Sequence, residues 1–315
     1  MYSIPVSDLV RKLRQRHVSK VALQFPDGLR RRAFAVASSL REEGFEVIVS
    51  GDPCYGSCDL ATDTLALADI LVHFGHAPVE NREGIIYEYV SLDLDPAILD
   101  AAVPLFEGRE IGIVTTVQHA HLIDAMAERL RSQGFVCRIA SPGGRTPLPG
   151  QILGCTFEAA RMTGAPEILY VGTGMFHPLG VRLATGARVV ALDPYTGIAS
   201  LVDADRLLRK RYARIESARQ ASTIGILVSL KSGQQRFDLA RRLETLDSRA
   251  FLITMREITP EGLLNLGCDC YVNTACPRLA YDDQIRFPAP VLSPPEYEIA
   301  CGVRAWDEYT IDEIT

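Results

Sequence analysis

Three of the eight cysteines stand in loops whose small neighbours would let a bulky inorganic group approach the backbone. The segments are Tyr55-Gly56-Ser57-Cys58-Asp59, Gly150-Gln151-Ile152-Leu153-Gly154-Cys155 and Asn273-Thr274-Ala275-Cys276-Pro277-Arg278. Glycine and other small residues leave room beside a thiol. A proline directly after a cysteine also recurs in runs that bind iron–sulfur clusters. These residue types predict thiolate ligands for a metal cluster.

Three protein thiolates can bind three irons of a cubane and leave the fourth iron open to a substrate, as in open zinc sites. The three cysteines match no local metal motif, so structural thiols without metal remain an alternative. Cys54 and Cys58 form a C-x₃-C pair that no C-x-x-C completes, and Cys54 remains a rival to Cys58 as ligand. Cys137, Cys268 and Cys270 lie in or beside strand-like runs and are expected to pack in the core.

The elements that must position these cysteines repeat three times, with a period of roughly one hundred residues. Each repeat begins with an apolar, β-branched run that ends in a polar turn and is followed by a helical pattern. The first runs of the three repeats are residues 20–25, 110–116 and 223–230. Near-continuous apolar runs that alternate with helices indicate parallel strands covered on both faces.

The predicted fold class is therefore α/β, with three similar domains, each a small parallel sheet flanked by helices, arranged around a central cluster site. The predicted domains are residues 1–105, 106–218 and 219–315. In open parallel sheets, ligands bind beyond the carboxyl ends of the strands. The polar turns and the three cysteine loops follow such ends, so three facing edges would enclose a single site. Separated edges would contradict this prediction.

Composition excludes several classes of protein. The chain has 315 residues and a net charge of −6, with 47% apolar and 23% charged residues. It shows no basic face for nucleic acid, no apolar run long enough to span a membrane and no secretory signal, so we expect a cytoplasmic protein. The short runs Arg30-Arg31-Arg32 and Arg209-Lys210-Arg211 are expected to be solvated helix faces. The sequence contains neither a nucleophile elbow nor a P-loop, which disfavours hydrolases and NTPases.

The three cysteine segments look like the cysteine motifs of the archaeal diphthamide synthase family. Further segments resemble the same family, in the same order along the chain: residues 24–29, 72–76, 116–119, 176–180 and 294–297. The resemblance thus runs from residue 24 to residue 297. Single motifs of this kind are weak, but the ordered set is specific.

The resemblance implies an iron–sulfur transferase. Such an enzyme binds a [4Fe–4S] cluster, here through Cys58, Cys155 and Cys276, and receives an electron from a donor. It moves the 3-amino-3-carboxypropyl group of S-adenosylmethionine to C2 of a histidine in elongation factor 2, by a radical mechanism that releases 5′-methylthioadenosine. The family further implies a homodimer with one cluster in each subunit.

Several polar turns are candidates for binding S-adenosylmethionine. Gly172-Thr173-Gly174 follows a strand and Asp193 ends the next one, a spacing similar to nucleotide folds in which an acid binds ribose hydroxyls; a turn capped by Asp193 is the alternative. Gln118 could bind the adenine edge or the amino-acid part, and a turn-forming amide is the alternative. Asp27 with Gly28 has first the pattern of a turn and helix cap, and contact with the substrate amino group is the alternative. Lys231 and Gln234 could bind the carboxylate or lie in a solvated loop.

Two other functions remain open at this level. A dehydratase similar to quinolinate synthase would also use one cysteine from each repeat, but would not produce 5′-methylthioadenosine. A non-catalytic subunit that only passes electrons to a sister subunit would show no activity alone. His73 and His76 are expected to pack in a turn, because no cysteine lies beside them in the sequence.

Overall fold

The structure is a computed structural model, and it describes residues 6–80 and 82–314. Within these residues the strands form three separate sheets of four, five and four strands, which follow one another along the chain. Helices cover the sheets, as the near-continuous apolar strands require. The predicted α/β fold with three similar units is confirmed.

The first sheet has the strand order β2-β1-β3-β4, and all neighbours are parallel. Its strands are β1 (Lys20–Gln24), β2 (Glu46–Val49), β3 (Ile70–Phe74) and β4 (Ile85–Glu88). Helices α1 (Val6–Gln15) and α2 (Ala33–Glu42) cover one face. Leu9, Leu13 and Leu40 are buried there against β1 and β3, because they recur at helical spacing on one side of each helix.

The second sheet has the order β6-β5-β7-β8-β9. Its strands are β5 (Glu110–Thr115), β6 (Val136–Arg138), β7 (Glu167–Val171), β8 (Arg188–Asp193) and β9 (Ile198–Leu201). Its helices are α3 (Ile123–Arg131), α4 (Glu158–Thr163) and α5 (Phe176–Thr185), and α6 (Asp205–Arg219) follows β9. β9 pairs antiparallel with β8 and was not predicted, because its residues are mostly exposed and carry little apolar pattern.

The third sheet has the order β11-β10-β12-β13 and is again parallel throughout. Its strands are β10 (Ile224–Ser229), β11 (Ala250–Met255), β12 (Cys270–Asn273) and β13 (Val291–Leu292). Its helices are α7 (Phe237–Glu244), α8 (Pro260–Leu266), α9 (Arg278–Tyr281) and α10 (Pro294–Ala300). Each sheet therefore places its first strand beside its third, so the polar turns after these strands share one edge.

Helix α6 belongs by packing to the third sheet. Its residues Ile215 and Ala218 are buried in the same core cluster as Ile226 and Val272. The domain boundaries at 105 and 218 stay a prediction, and this packing would move the second of them towards the start of α6.

The interpretation of Arg209-Lys210-Arg211 as a solvated face is wrong for Arg211, although Arg209 and Lys210 are exposed. Arg211 is only 2% exposed and forms a bidentate ion pair with Glu296, at 2.7 and 2.5 Å, which is itself fully buried. Its remaining donors bind the carbonyls of Ala280 and Val291 at 2.6 and 2.8 Å. α6 turns this one side chain inward, because residue 211 shares a helix face with Ile215.

The cysteines expected in the core are found there. Cys270 is fully buried in β12, and Cys137 and Cys268 are partly buried against the cores of the second and third sheets. No helix in the described part of the chain is long and apolar enough to cross a membrane.

Candidate active site between the three sheets

Cys58, Cys155 and Cys276 line one cavity of about 370 Å³. Each is contributed by a loop of a different sheet, so the structure brings together three thiols that are far apart in sequence. The thiols influence one another: burial is the main cause that raises the pKa of Cys276 to about 12, and the nearby Cys58 and Cys155 contribute to this rise. This convergence was predicted from the positions of the strand ends.

The Cys58 loop is fixed by the first and third sheets together. At the end of β1, the Gln24 amide donates to the carbonyl of Asp59 at 2.7 Å. From the turn after β10, Lys231 binds the Asp59 carboxylate at 2.8 Å and Gln234 Nε2 donates to Cys58 Sγ at 3.2 Å. The thiol therefore has a directed N–H donor from another sheet.

The Cys276 loop is closed by Asn273, the last residue of β12. The Asn273 side chain accepts from the Ala275 N–H at 3.0 Å and donates to the Cys276 carbonyl at 2.8 Å. Arg236 donates to the carbonyls of Thr274 and Ala275 at 2.7 and 3.2 Å. These bonds hold the loop that presents the thiol.

The Cys155 loop meets Arg145, a residue that the sequence did not single out. Arg145 Nη2 lies 3.8 Å from Cys155 Sγ and donates to the Gly233 carbonyl of the third sheet at 3.0 Å. Its positive charge lowers the pKa of both Cys155 and Cys58, although burial is the larger effect and raises both, that of Cys155 to about 11. Arg145 thus provides a cation beside two of the three thiols.

The C-terminal segment (residues 310–314) ties two of the cysteine loops together. Buried Asp312 binds Arg236, the residue that holds the Cys276 loop, at 2.8 and 2.6 Å. The Ile314 N–H donates to the Cys155 carbonyl at 2.7 Å. The Glu313 carboxylate accepts from the Phe157 N–H at 2.7 Å.

The donor set suits a cluster that prefers sulfur ligands. Among the residues that the structure describes, no Asp or Glu side chain lines the cavity, whereas three thiols do. Soft thiolates favour iron–sulfur clusters or zinc over hard oxygen-binding cations. Two of the sulfurs have N–H groups from Gln234 and Arg145 beside them, and such hydrogen bonds tune a cluster. Loading would displace protons from the thiols, because burial keeps them neutral.

Cys54 occupies a different place from Cys58. It is buried beside His73 and His76, with its sulfur and ring nitrogens of both histidines within 4.8 Å of one another. Cys58 lines the cavity together with the other two candidate ligands, and Cys54 is not among the described lining residues. The geometry therefore favours Cys58 over Cys54.

His73 and His76 do more than pack in a turn. His73 Nδ1 lies 2.8 Å from Gln24 Oε1, and His73 Nε2 lies 2.9 Å from His76 Nδ1. Gln24 and His73 are register partners in β1 and β3, so the chain of bonds crosses the carboxyl edge of the first sheet. His76 lines the cavity. The sequence could not indicate this series of hydrogen bonds, because Gln24 lies in a different element from His73 and His76.

Of the residues considered for S-adenosylmethionine, Gln118 lines the cavity, and so does Thr173, which lies between Gly172 and Gly174. Gly174 has a φ of +75°, a left-handed conformation that favours glycine in this turn. Asp193 Oδ1 accepts from the N–H groups of Tyr195 and Thr196 at 2.8 and 3.3 Å, so it does cap a turn.

The remaining candidates have protein partners. The Lys231 ammonium, which is almost fully buried, pairs with Asp59 and also with Glu257 at 2.5 Å. Asp27 begins a 3₁₀ turn and pairs with Arg30 at 3.2 Å. Gly28, the second residue of this turn, has open space around it.

Two aromatic residues at the cavity were missed in the sequence. Tyr55 and Tyr195 both line it and are 64% and 63% exposed, so they stand where the cavity meets solvent. Tyr55 lies three residues before Cys58, and a tyrosine at that distance from a cysteine does not by itself indicate a binding site. Their position at the opening is a property of the folded chain alone.

A first prediction concerns Gly233, where the third sheet touches the Cys58 loop. A Cβ at this position would lie 2.5 Å from Cys58 Cα and 2.7 Å from its Cβ, so Gly233→Ala must displace the cysteine. We expect a destabilisation of about 1–3 kcal/mol and a clear loss of bound iron after anaerobic reconstitution. Gly51→Ala is the matched control, because a Cβ there meets nothing within 4 Å. Equal iron contents in the two variants would contradict the close contact.

The sequence matches the model of a family described as "Putative diphthamide synthesis protein" over residues 25–311. A relative from Pyrococcus horikoshii, named 2-(3-amino-3-carboxypropyl)histidine synthase, is 37% identical over 100% of this chain and 94% of its own length. The human 2-(3-amino-3-carboxypropyl)histidine synthase subunit 1 is 30% identical over 99% of this chain and 75% of its own length.

A solved structure shows the same fold. The crystal structure of Dph2 from Pyrococcus horikoshii with a 4Fe-4S cluster superposes with a TM-score of 0.94 at 36% identity. The match covers 100% of this chain and 95% of that chain.

Proposed function

Because this chain belongs to the diphthamide synthesis protein family, we propose that it transfers the 3-amino-3-carboxypropyl group of S-adenosylmethionine to C2 of a histidine imidazole in elongation factor 2. The observation that carries the proposal is the convergence of Cys58, Cys155 and Cys276 on one cavity. A single cysteine from each sheet leaves one corner of a cubane free for a substrate. The match along the whole chain favours this transfer over a dehydratase of the quinolinate-synthase type.

The three cysteines would hold a [4Fe–4S] cluster. When bound and reduced, it supplies one electron to the sulfonium of S-adenosylmethionine, which then yields 5′-methylthioadenosine and a 3-amino-3-carboxypropyl radical. The protein would supply orientation, since the position of the substrate decides which carbon–sulfur bond breaks. Arg145 and Gln234 would donate to the cluster's sulfur ligands from outside.

S-adenosylmethionine would lie in the rest of the cavity. Gln118 and the Gly172-Thr173-Gly174 turn are its best supported contacts, because Gln118 and Thr173 form part of the wall. Asp193 could still offer its second carboxylate oxygen to a ribose, since the turn that it caps uses only Oδ1.

The other predicted contacts have a different part in the proposal. Lys231 and Gln234 shape the Cys58 loop rather than bind the substrate carboxylate, because their side chains already bind Asp59 and Cys58. Asp27 and Gly28 remain proposed contacts of the amino group, although neither is among the described residues that line the cavity.

Partners and location complete the proposal. Elongation factor 2 would present its histidine at the opening marked by Tyr55 and Tyr195. A homodimer, a separate electron donor and a cytoplasmic location are proposed with it, and neither nucleic acid nor a membrane is required. Sedimentation of the cluster-loaded protein tests the dimer.

The deciding experiment is anaerobic incubation of the reconstituted, reduced protein with S-adenosylmethionine and archaeal elongation factor 2. We expect 5′-methylthioadenosine and a mass gain of one aminocarboxypropyl group on the factor in equal amounts. A cluster-loaded protein that transfers nothing alone, but does so with a second subunit, would identify an electron-transfer subunit. Turnover of small acids without S-adenosylmethionine would identify a dehydratase.

A second prediction concerns the N–H that Gln234 directs at Cys58 Sγ. Removing a donor from a ligating sulfur leaves more electron density on the cluster, so Gln234→Leu should shift its reduction potential to more negative values. The measurement is a redox titration followed by electron paramagnetic resonance. Gln235→Leu is the matched control, because Gln235 is adjacent to Gln234 and exposed. If both variants keep the wild-type potential, Gln234 does not act on the cluster.

A further inference from the structure

The hydrogen bonds around Gln24 fix the tautomers of two histidines. Gln24 Nε2 donates to the Asp59 carbonyl, and Gln24 Oε1 accepts from the Ala61 N–H at 3.1 Å. Because one backbone partner is an acceptor and the other a donor, they fix which side-chain atom of Gln24 is the nitrogen and which is the oxygen. His73 Nδ1, at 2.8 Å from Oε1, must therefore carry a proton. Since burial lowers the pKa of His73 well below its usual value, the ring is neutral and its Nε2 is an acceptor.

The same reasoning extends to His76. Its Nδ1 lies 2.9 Å from His73 Nε2, and because that nitrogen is an acceptor, His76 Nδ1 must be the donor. Burial lowers the pKa of His76 to about 4, so this ring is also neutral at physiological pH. Its Nε2 therefore carries a lone pair, with no hydrogen-bond partner among the described residues. His76 is part of the cavity wall.

The two other histidines of the cavity are less suited to receive a proton. His119 donates through Nδ1 to the Leu92 carbonyl at 2.9 Å. It is only 4% exposed, so little of the ring is accessible to a substrate. His177 is held by stacking on Tyr170, and Arg278 beside it adds to the effect of burial on its pKa. A proton on His177 would be repelled by that guanidinium. A proton on His76 would be stabilised by the bonds through His73 to Gln24, as an aligned histidine is in a catalytic triad.

Resting on the proposed function, we propose that His76 Nε2 is the base that removes the C2 proton of the target imidazole, with His73 and Gln24 as positioning residues. In the overall transfer, the carbon–sulfur bond of the sulfonium breaks and a carbon–carbon bond forms at C2. The C2 hydrogen leaves as a proton, which carries away the positive charge of the sulfonium. No net oxidant is needed, because the electron that starts the reaction returns to the iron–sulfur centre.

A weak base suffices for this step. Once the electron has left, C2 bears both a hydrogen and the new carbon on a cationic ring, and such a hydrogen is strongly acidic. Restoring the aromatic ring drives its loss. A neutral histidine can accept this proton and release it again to solvent through the open side of the cavity.

A bound metal ion at Cys54, His73 and His76 would be a different explanation for the same cluster of side chains. Two nitrogens that bind zinc at the usual lengths are about 3.3 Å apart in a tetrahedral site. The 2.9 Å between the two rings is instead the length of a hydrogen bond. The hydrogen-bonded pair is therefore the better description. Zinc analysis of the wild-type protein beside His76→Asn tests it, because zinc bound by wild type and lost in the variant would contradict the pair.

The test uses two substitutions that separate a base from an orienting acceptor. His76→Asn keeps a donor at the place of Nδ1 but has nothing at Nε2. His76→Gln places an amide oxygen near Nε2, which can accept a hydrogen bond but cannot act as a base. Each is loaded with its cluster and given S-adenosylmethionine and elongation factor 2 labelled with C2-deuterated histidine. The rates of methylthioadenosine formation and of mass gain on the factor are measured together.

We expect both variants to form methylthioadenosine within about threefold of wild type, while transfer falls by about 10²-fold or more and gains a primary deuterium isotope effect. The fragment that is not transferred takes one electron from the reductant in the assay and a proton from water, and leaves as 2-aminobutyrate. Rescue by His76→Gln, an equal loss of both rates, or no loss at all would each overturn the inference. Decoupling by His119→Asn but not by His76→Asn would overturn it too. If wild type itself transfers nothing, the proposed function fails instead.

A second readout is independent of activity. In ¹⁵N spectra of the metal-free protein labelled at histidine, His73 and His76 should both show a protonated Nδ1 and an unprotonated Nε2. The chain has six histidines, so single substitutions suffice to assign them. A protonated Nε2 on His76 at neutral pH would overturn the inference without any assay.

Discussion

Alanine in place of Cys58, Cys155 or Cys276 should each abolish transfer to elongation factor 2 and lower the bound iron. The three thiols come from loops of three different sheets, and no fourth cysteine is among the described residues that line the cavity, so a missing thiol has no replacement there. Changes in residues around a metal's ligands typically lower activity by roughly 10- to 100-fold. We expect the transfer rate of each cysteine variant to fall by more than this. Iron and sulfide content, methylthioadenosine and the mass of the factor are the measurements.

Two further cysteines serve as controls for this series. Cys137→Ala should behave as wild type, because the thiol of Cys137 lies on β6 and bonds only to the Ala127 carbonyl. Cys54→Ala tests the rival ligand, and should keep its cluster even if it disturbs His73 nearby. Loss of iron in Cys54→Ala with retention in Cys58→Ala would show that the ligands had been assigned wrongly.

Arg211→Ala should cost about 3–5 kcal/mol in the free energy of unfolding, because it leaves a buried carboxylate without its cation. Glu296 is fully buried and also accepts from the Ser293 N–H at 2.8 Å and from Tyr309 at 3.0 Å. These two bonds cannot neutralise its charge. Urea unfolding of the metal-free protein, followed by circular dichroism, measures the effect.

The matched control is Arg209→Ala, two residues away on the same helix and exposed. It should change stability by less than about 0.5 kcal/mol. Adding Glu296→Gln to Arg211→Ala should recover part of the loss, since the unpaired charge is removed. If Arg211→Ala and Arg209→Ala are equally stable, the ion pair does not hold α6 on the third sheet.

The sheets could be predicted because their strands are continuous apolar runs. In β3, β7 and β10 every residue is buried, so each run has the composition of a strand covered on both faces. Strand β9 escaped prediction because an exposed edge strand needs no such run. The burial of Arg211 was not predicted, because its charged neighbours Arg209 and Lys210 indicate a solvated helix face.

Only the part of the site that follows the ends of strands could be predicted from the sequence. The position of each cysteine after a strand or turn predicted that the three candidate ligands lie on facing edges, and all three line one cavity. Contacts between sheets left no trace in the sequence: Gln234 of the third repeat reaches Cys58 of the first, and Arg145, beside Cys155 in the second repeat, also binds Gly233 of the third. The role of His76 depends on a tautomer set by Gln24, and a tautomer is a property of the assembled network.

The C-terminal segment has a consequence for how the protein is made. Asp312 and Ile314 fasten the Cys276 and Cys155 loops, yet they leave the ribosome after every strand of the three sheets. Each sheet can form during synthesis, since its strands are contiguous in the chain. The cavity is completed after the sheets, because residues 312–314, which help to hold the Cys155 and Cys276 loops, follow every strand in the chain. A cluster held by the three thiols would therefore be inserted only after the three sheets have formed.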